Sequence, residues 1–134
     1  MMPVTLKRLE HVNLRTANLD GMIAWYGRVL GMHTGPRPGF TFPGAWLYLE
    51  DQPIIHLVGV EVAPAADAGD LRLEHFAISA SGIKDLLERI EADGLRHRLN
   101  HVKDFGILQV NLWDPDGNHI HLDFDAAEAE RLEI

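Results

Sequence analysis

The 134-residue chain has no cysteine, which excludes disulfides and any soft-metal cage built from thiolates. It is also short of positive charge. Twelve Lys and Arg against 20 Asp and Glu leave a formal charge of -8, and the pI is about 5.4. Such a chain has no basic field with which to meet nucleic-acid phosphates or anionic lipid. No apolar run approaches transmembrane length, and the start "MMPVTLKRLEHVNL" lacks the apolar core of a signal peptide. These absences point to one cytoplasmic domain over residues 1–134 with a small-molecule partner, no nucleic acid and no membrane. Apolar residues make up 46% of the chain, enough for a core at this size. Histidine is the abundant residue, with eight copies, and it needs explaining.

"LEHVNLR" (9–15) and "LEHFAIS" (73–79) share a tripeptide and the alternation of a half-buried strand. After the first, Asn18 and Asp20 supply cap groups for a helix through Leu19, Ile23, Tyr26 and Leu30 that stops at Gly31. "TGPRPGFTFPG" reads as a loop with room for a short edge strand around residues 39–42, and "AWLYLE" with "IIHLVGV" as a hairpin. After a small, polar linker over 63–70 the order restarts. Ser81 is the expected cap of a helix through Ile83, Leu87 and Ile90, "LRHRL" a short strand and "NHVKDFG" a loop; "ILQVNLW" and "HIHLDF" form a second hairpin. The acidic tail "AAEAERLEI" is either an outer helix or frayed. His11 and His75 are 64 apart, His56 and His121 65 apart (75−11 and 121−56). Two anchors at nearly one offset indicate a duplication, with modules over 6–62 and 71–125.

Alternation puts Val12, Leu14, Leu47, Ile55, Leu57, Phe76, Val110, Leu112, Ile120 and Leu122 on a core face. The other face carries His11, Asn13, Arg15, Trp46, Tyr48, Glu50, His56, His75, Ser79, Gln109, Asn111, His119, His121 and Asp123. Many antiparallel sheets keep one face wet, which accounts for its Arg, Gln and Asp. The repeat-related His11, His56, His75 and His121 are a different matter. Packed about a pseudo-twofold axis they would converge, and three or four imidazoles around one point bind Zn, Fe, Ni, Mn or Co. One divalent ion is the expected cofactor.

"LEHVNLRTANLDGMIAWYGRVLGM" and "NLWDPDGNHIHLDF" together resemble the opening strand and helix and the closing hairpin of the vicinal oxygen chelate superfamily. That superfamily includes glyoxalase I, the bleomycin resistance proteins and the extradiol dioxygenases. The resemblance runs from Leu9 to Phe124 and implies an α+β fold. Two tandem βαβββ modules would form a curled mixed sheet around a metal and substrate cavity, with the helices outside. It further implies metal ligands at His11, His56, His75 and His121 and a homodimer, with or without exchange of modules. Histidine stands at 56 and 121, where glyoxalase I carries Glu at the first and metal-using members usually carry Glu at the second.

The expected activity is that of a metal-dependent lyase, isomerase or ring-cleaving dioxygenase on a substrate chelating through two oxygens. The alternative is a non-catalytic, resistance-type binding protein on the same fold. His56 is a fourth ligand or a general base. Glu50 is a proton acceptor if burial raises its pKa, or an exposed hairpin-end carboxylate. Arg15, Trp46, Tyr48, Asn111 and Trp113 are pocket candidates, with packing an equal account of the aromatics. A loop over 97–106 would form a lid, with Arg98 or His101 meeting an anionic group.

Overall fold

The computed structural model describes residues 3–65 and 71–133, so the expected linker falls outside the described residues from position 66 to 70. Elements run β1 (Val12–Thr16), α1 (Leu19–Leu30), β2 (His33–Thr34), β3 (Gly44–Leu49), β4 (Gln52–Gly59), then β5 (His75–Ala80), α2 (Ile83–Asp93), β6 (His97–Val102), β7 (Ile107–Trp113), β8 (His119–Asp125) and α3 (Ala126–Arg131). Two four-stranded mixed sheets result, in the orders β1-β4-β3-β2 and β5-β8-β7-β6. In each, the first strand pairs parallel with the last and the remaining pairs are antiparallel. The fold is therefore α+β with tandem βαβββ order.

The registers repeat along with the order. Asn13, His56 and Trp46 are ladder partners in the first sheet, and Ala77, His121 and Asn111 in the second. These positions differ by 64, 65 and 65 (77−13, 121−56, 111−46), the offsets seen in the sequence. Because side chains alternate with period two, a repeated register repeats which side chains face the same way. The faces opposite these partners form one core: Leu47, Ile55, Leu57, Val110, Leu112 and Ile120 pack with Met22, Tyr26 and Val29 of α1 and Ile83, Leu86 and Ile90 of α2. No helix among the described residues is long and apolar enough to cross a membrane.

The caps show what local sequence decides. Asn18 accepts from Gly21 N at 3.3 Å to start α1, and Gly31, at φ 72°, ends it in the left-handed region. Ser81 does not cap α2. The cap position is Gly82, at φ 86° and with no side chain to offer. Glu128 of α3 takes the role, accepting from Gly82 N at 2.6 Å and Ile83 N at 2.9 Å. The tail is thus a helix fastened to another helix's positive end.

Two loop expectations are corrected. The first-module edge strand is β2 at His33–Thr34, not residues 39–42. Segment 35–43 is instead held by Arg37, whose guanidinium lies 5.1 and 5.2 Å from the Phe40 and Phe42 rings and donates to the Phe42 carbonyl at 3.0 Å. The lid expected over 97–106 is strand β6 followed by one 3-10 turn at Lys103–Phe105. Strand β6 is an edge with largely exposed side chains, so its polar sequence hides its pairing to β7.

Candidate functional site

On the first sheet His56 is sandwiched between two rings. Its centroid is 3.8 Å from that of His11 and 3.9 Å from that of Trp46, with interplanar angles of 9° and 10°. Since a carbonyl only accepts, the 3.0 Å contact of His56 Nε2 with Pro53 O places the proton on Nε2 and leaves Nδ1 bare. Burial lowers the His56 pKa from the ordinary 6.5, and the neighbouring His11 lowers it further, so the ring is neutral at pH 7. Glu10 meets His11 Nδ1 at 3.2 Å.

The sign of this shift makes a measurable statement. The folded state binds fewer protons at His56 than the unfolded state, so the stabilisation is present above 6.5 and is lost as pH falls through the lowered value. In metal-free protein His56→Gln should flatten the fall in urea midpoint between neutral pH and mildly acidic pH. A slope identical to that of the unsubstituted chain would remove His56 as its source.

Neither Tyr48 nor Glu50 joins this group. Tyr48 donates its hydroxyl to Pro36 O and its ring lies 5.9 Å from His33, so it fastens the loop after β2. Glu50 occupies the β3–β4 turn, exposed and at φ 55°. A hairpin tip projects into water, so Glu50 has the exposed position that the sequence also allows.

The second sheet gathers more. His75 opposes His119 across the β5–β8 ladder, and the His75 centroid lies 5.2 Å from that of His119 and 4.4 Å from that of His121. The site's inner members are buried: Asn111 is 2%, His121 7% and His119 9% exposed. Buried polar groups need partners, and here the partners settle the tautomers. Asn111 Nδ2 donates to Arg98 O at 3.1 Å, so its Oδ1 is the atom that accepts from His119 Nε2 at 2.7 Å. That leaves Nδ1 of neutral His119 as a lone-pair donor. It faces Glu74, 3.2 Å from both carboxylate oxygens, and the same carboxylate meets His75 Nδ1. His121 Nδ1 donates to Asp123 Oδ1 at 2.6 Å, the orienting contact seen behind many metal-binding imidazoles, and its Nε2 stays available.

Glu74, His75 and His119 therefore present ligand atoms within 4.8 Å of one another, the single such group among the described residues. The hydrogen bond with His75 is the largest cause holding the Glu74 carboxyl below its ordinary 4.5, with His119 adding to it. His75 Nδ1–H can donate to this carboxylate directly, but His119, with Nε2 committed to Asn111, meets it through Nδ1 only with a proton or a metal ion between them. The donor set, neutral nitrogens with one carboxylate oxygen, suits a borderline divalent ion.

These side chains open on a cleft of ≈ 790 Å³ between the sheets, which Asn13, Arg15, Phe42, Arg72 and Asn118 also line. One wall is the β7–β8 turn. Buried Asp114 shapes it by accepting from Asp116 N at 3.0 Å, Asn118 N at 2.9 Å and the α1 residue Tyr26 at 2.7 Å. Of the residues expected from sequence, Arg15 and His75 border the cleft, while His11 with His56 and His75 with His121 form two separate pairs. Trp46 and Asn111 serve as partners of histidines. Trp113 stacks on His119 at 4.9 Å. Arg98 contributes its carbonyl, and its ladder partner is Asn111. His101 pairs with Leu108, in line with Val110 and Leu112, so the pleat sends it to the face opposite His121.

Glu74 and His119 were legible only in part. His119 lies two residues from His121 and so shares its face, whereas Glu74 precedes β5 and escapes the pleat.

The geometry has counterparts. The chain matches the family model of the Glyoxalase/Bleomycin resistance protein/Dioxygenase superfamily over residues 8–122. Among solved structures it is similar to a glyoxylase/bleomycin resistance protein/dioxygenase domain from Frankia sp. EAN1pec, at 21% identity and TM-score 0.74, covering 90% of this chain and 93% of that one. A glyoxalase/dioxygenase from Nostoc punctiforme is 20% identical with TM-score 0.74, covering 93% and 95%. No curated protein matches. Repeated βαβββ order, repeated register and a family match over most of its length place this chain in the glyoxalase/bleomycin resistance protein/dioxygenase superfamily.

Proposed function

We propose that this chain is a divalent-metal-dependent enzyme acting on a small, oxygen-rich substrate that reaches the ion through two adjacent oxygens. The observation that carries this reading is the convergence of the Nδ1 atoms of His75 and His119 on the Glu74 carboxylate, beside a cleft of small-molecule size. His75, His119 and Glu74 would hold the ion, with His121 adjacent and pre-oriented by Asp123. A divalent ion in a mainly imidazole site keeps most of its charge and acts as a Lewis acid toward substrate oxygens. His56, neutral and with Nδ1 unengaged, is the proposed proton acceptor, paired with His11 as the first module's contribution. The reaction proposed is lyase or isomerase chemistry or ring-cleaving dioxygenation, with a non-catalytic binding protein as the alternative.

We also propose a homodimer. Val4, Leu6 and Leu9 are 90%, 92% and 79% exposed, a run of apolar side chains that a second copy would cover. Sedimentation should give twice the 15.0 kDa chain mass, and a species of single-chain mass would end this reading.

Elemental analysis of tag-free protein tests the metal. About one divalent ion per chain is expected, and His75→Ala should remove it. His11→Ala separates two arrangements: metal is retained where the second sheet alone holds it, and lost where all four repeat-related histidines do. Stoichiometric metal in His75→Ala protein would end the proposal.

A further inference from the structure

The cleft beside Glu74 and His75 has walls that its metal-binding corner does not use, and their chemistry is uneven. Arg15 of β1 and Arg72, just ahead of β5, both line it. Among the described residues neither has an ion-pair partner, although acids outnumber bases 20 to 12 in the chain. Two arginines lining one cleft of so acidic a chain, without an acid partner among the described residues, call for an anion. Two carboxylates share the lining, Glu74 and Asp116. The proton or metal ion that His119 Nδ1 needs at Glu74 offsets that carboxylate's charge, so the wall's own balance is two positive charges less the one of Asp116, which matches a single negative charge.

Part of the lining is apolar and held in place. Phe42 lines the cleft and is 42% exposed, yet its loop is fixed. Phe40 stacks on Phe42 at 4.9 Å, and Arg37 ties the Phe42 carbonyl. At Gly44 an added Cβ would stand 2.4 Å from Leu57 O and 2.8 Å from Arg37 Nη2, so only glycine lets the loop rejoin β3 this closely. An exposed but immobilised ring is a stacking platform already ordered before a ligand arrives.

From these features we infer that the cleft takes a monoanionic aromatic 2-oxo- or 2-hydroxycarboxylate, its carboxylate on Arg15 and Arg72 and its ring on Phe42. The vicinal oxygens then face Glu74, His75 and His119. This last orientation rests on the metal reading, whereas the anion and ring preferences do not.

Calorimetric titration with three probes separates the parts: benzoylformate, its neutral methyl ester, and pyruvate, which keeps the charge and the vicinal oxygens but lacks the ring. Metal content is measured on the same samples, so failure of the metal reading is seen independently. Benzoylformate should bind about tenfold more tightly than either the ester or pyruvate, the scale of one charge-assisted contact or one stacked ring. Arg15→Met and Arg72→Met should shrink the acid-over-ester ratio, and Phe42→Ala the benzoylformate-over-pyruvate ratio, with thermal midpoints confirming folded variants. Should the protein carry no metal, benzoate against benzamide reads the same anion preference, expected to be lost in Arg15→Met. Equal binding of acid and neutral probes, or ratios unmoved by all three substitutions, would overturn the inference.

Discussion

Asp114→Ala should cost the fold about 3 kcal/mol and lower the thermal midpoint by roughly 10 °C. Asp114 is 4% exposed and its carboxylate accepts from four donors: Tyr26 Oη, Asp116 N, Asn118 N and Asn118 Nδ2. Removing it strands the hydroxyl of fully buried Tyr26 and undoes the turn leading into His119. The link also joins the two modules, since Tyr26 lies in the first helix and Asp114 at the end of β7.

The pKa directions agree with a buried charge held by its donors. Burial raises the Asp114 carboxyl above 3.8 despite the bonds that lower it, and burial with Asp114 beside it raises Tyr26 well above 10.0. For a raised carboxyl, the titration term favours folding below the unfolded value and is lost as pH rises through the raised one. At neutral pH the charge itself is therefore a cost, offset by four hydrogen bonds. Asp114→Asn keeps the volume and one acceptor oxygen while removing that cost, so its loss should be distinctly smaller than that of Asp114→Ala. Calorimetry showing equal losses would mean that the hydrogen-bonded hub is not what stabilises the turn.

The sequence carried much of this architecture because strand period and repeat offset reinforce each other. Once His11 and His75, then His56 and His121, fall at offsets of 64 and 65, alternation gives both modules the same faces, and the ladder Ala77–His121–Asn111 repeats Asn13–His56–Trp46. Features that depend on distant partners did not follow. Gly82 is capped by Glu128, far along the chain, and no local pattern announces it. Strand β6 is an exposed edge without an apolar stripe, so only its start shows in "LRHRL" while its second half, "NHV", reads as loop. Glu74 is hidden for a related reason: the pleat rule holds only within a paired strand, and one residue earlier the side chain is free to turn back onto His75 and His119. Convergence of the four repeat-related histidines is an expectation from symmetry, and ring contacts join His11 to His56 on one sheet and His75 to His121 on the other.

That reassignment makes Glu74→Gln the most informative substitution at the site. The variant keeps the side chain's length and one oxygen but gives up the charge between two imidazole nitrogens. If the carboxylate only forms ion pairs with protonated His75 and His119, little should change, since Glu74 is 59% exposed and exposed pairs contribute little to stability. If it helps hold a divalent ion, affinity should fall by about 10- to 100-fold, the scale seen when an oxygen partner of a metal site is removed. Competition with a coloured chelator measures that affinity, and urea unfolding of metal-free protein measures stability. The expected pattern is a large loss of metal affinity with an unfolding midpoint close to that of the unsubstituted chain. Unchanged affinity would remove Glu74 from the ligand set and return the site to the histidines alone. His119→Ala then serves as the counterpart: its Nδ1 is the other atom that the register of β5 and β8 brings to Glu74, and its loss should weaken metal binding to a similar extent. The two substitutions together should cost less than the sum of their separate effects, because each removes a ligand that the other helps to orient.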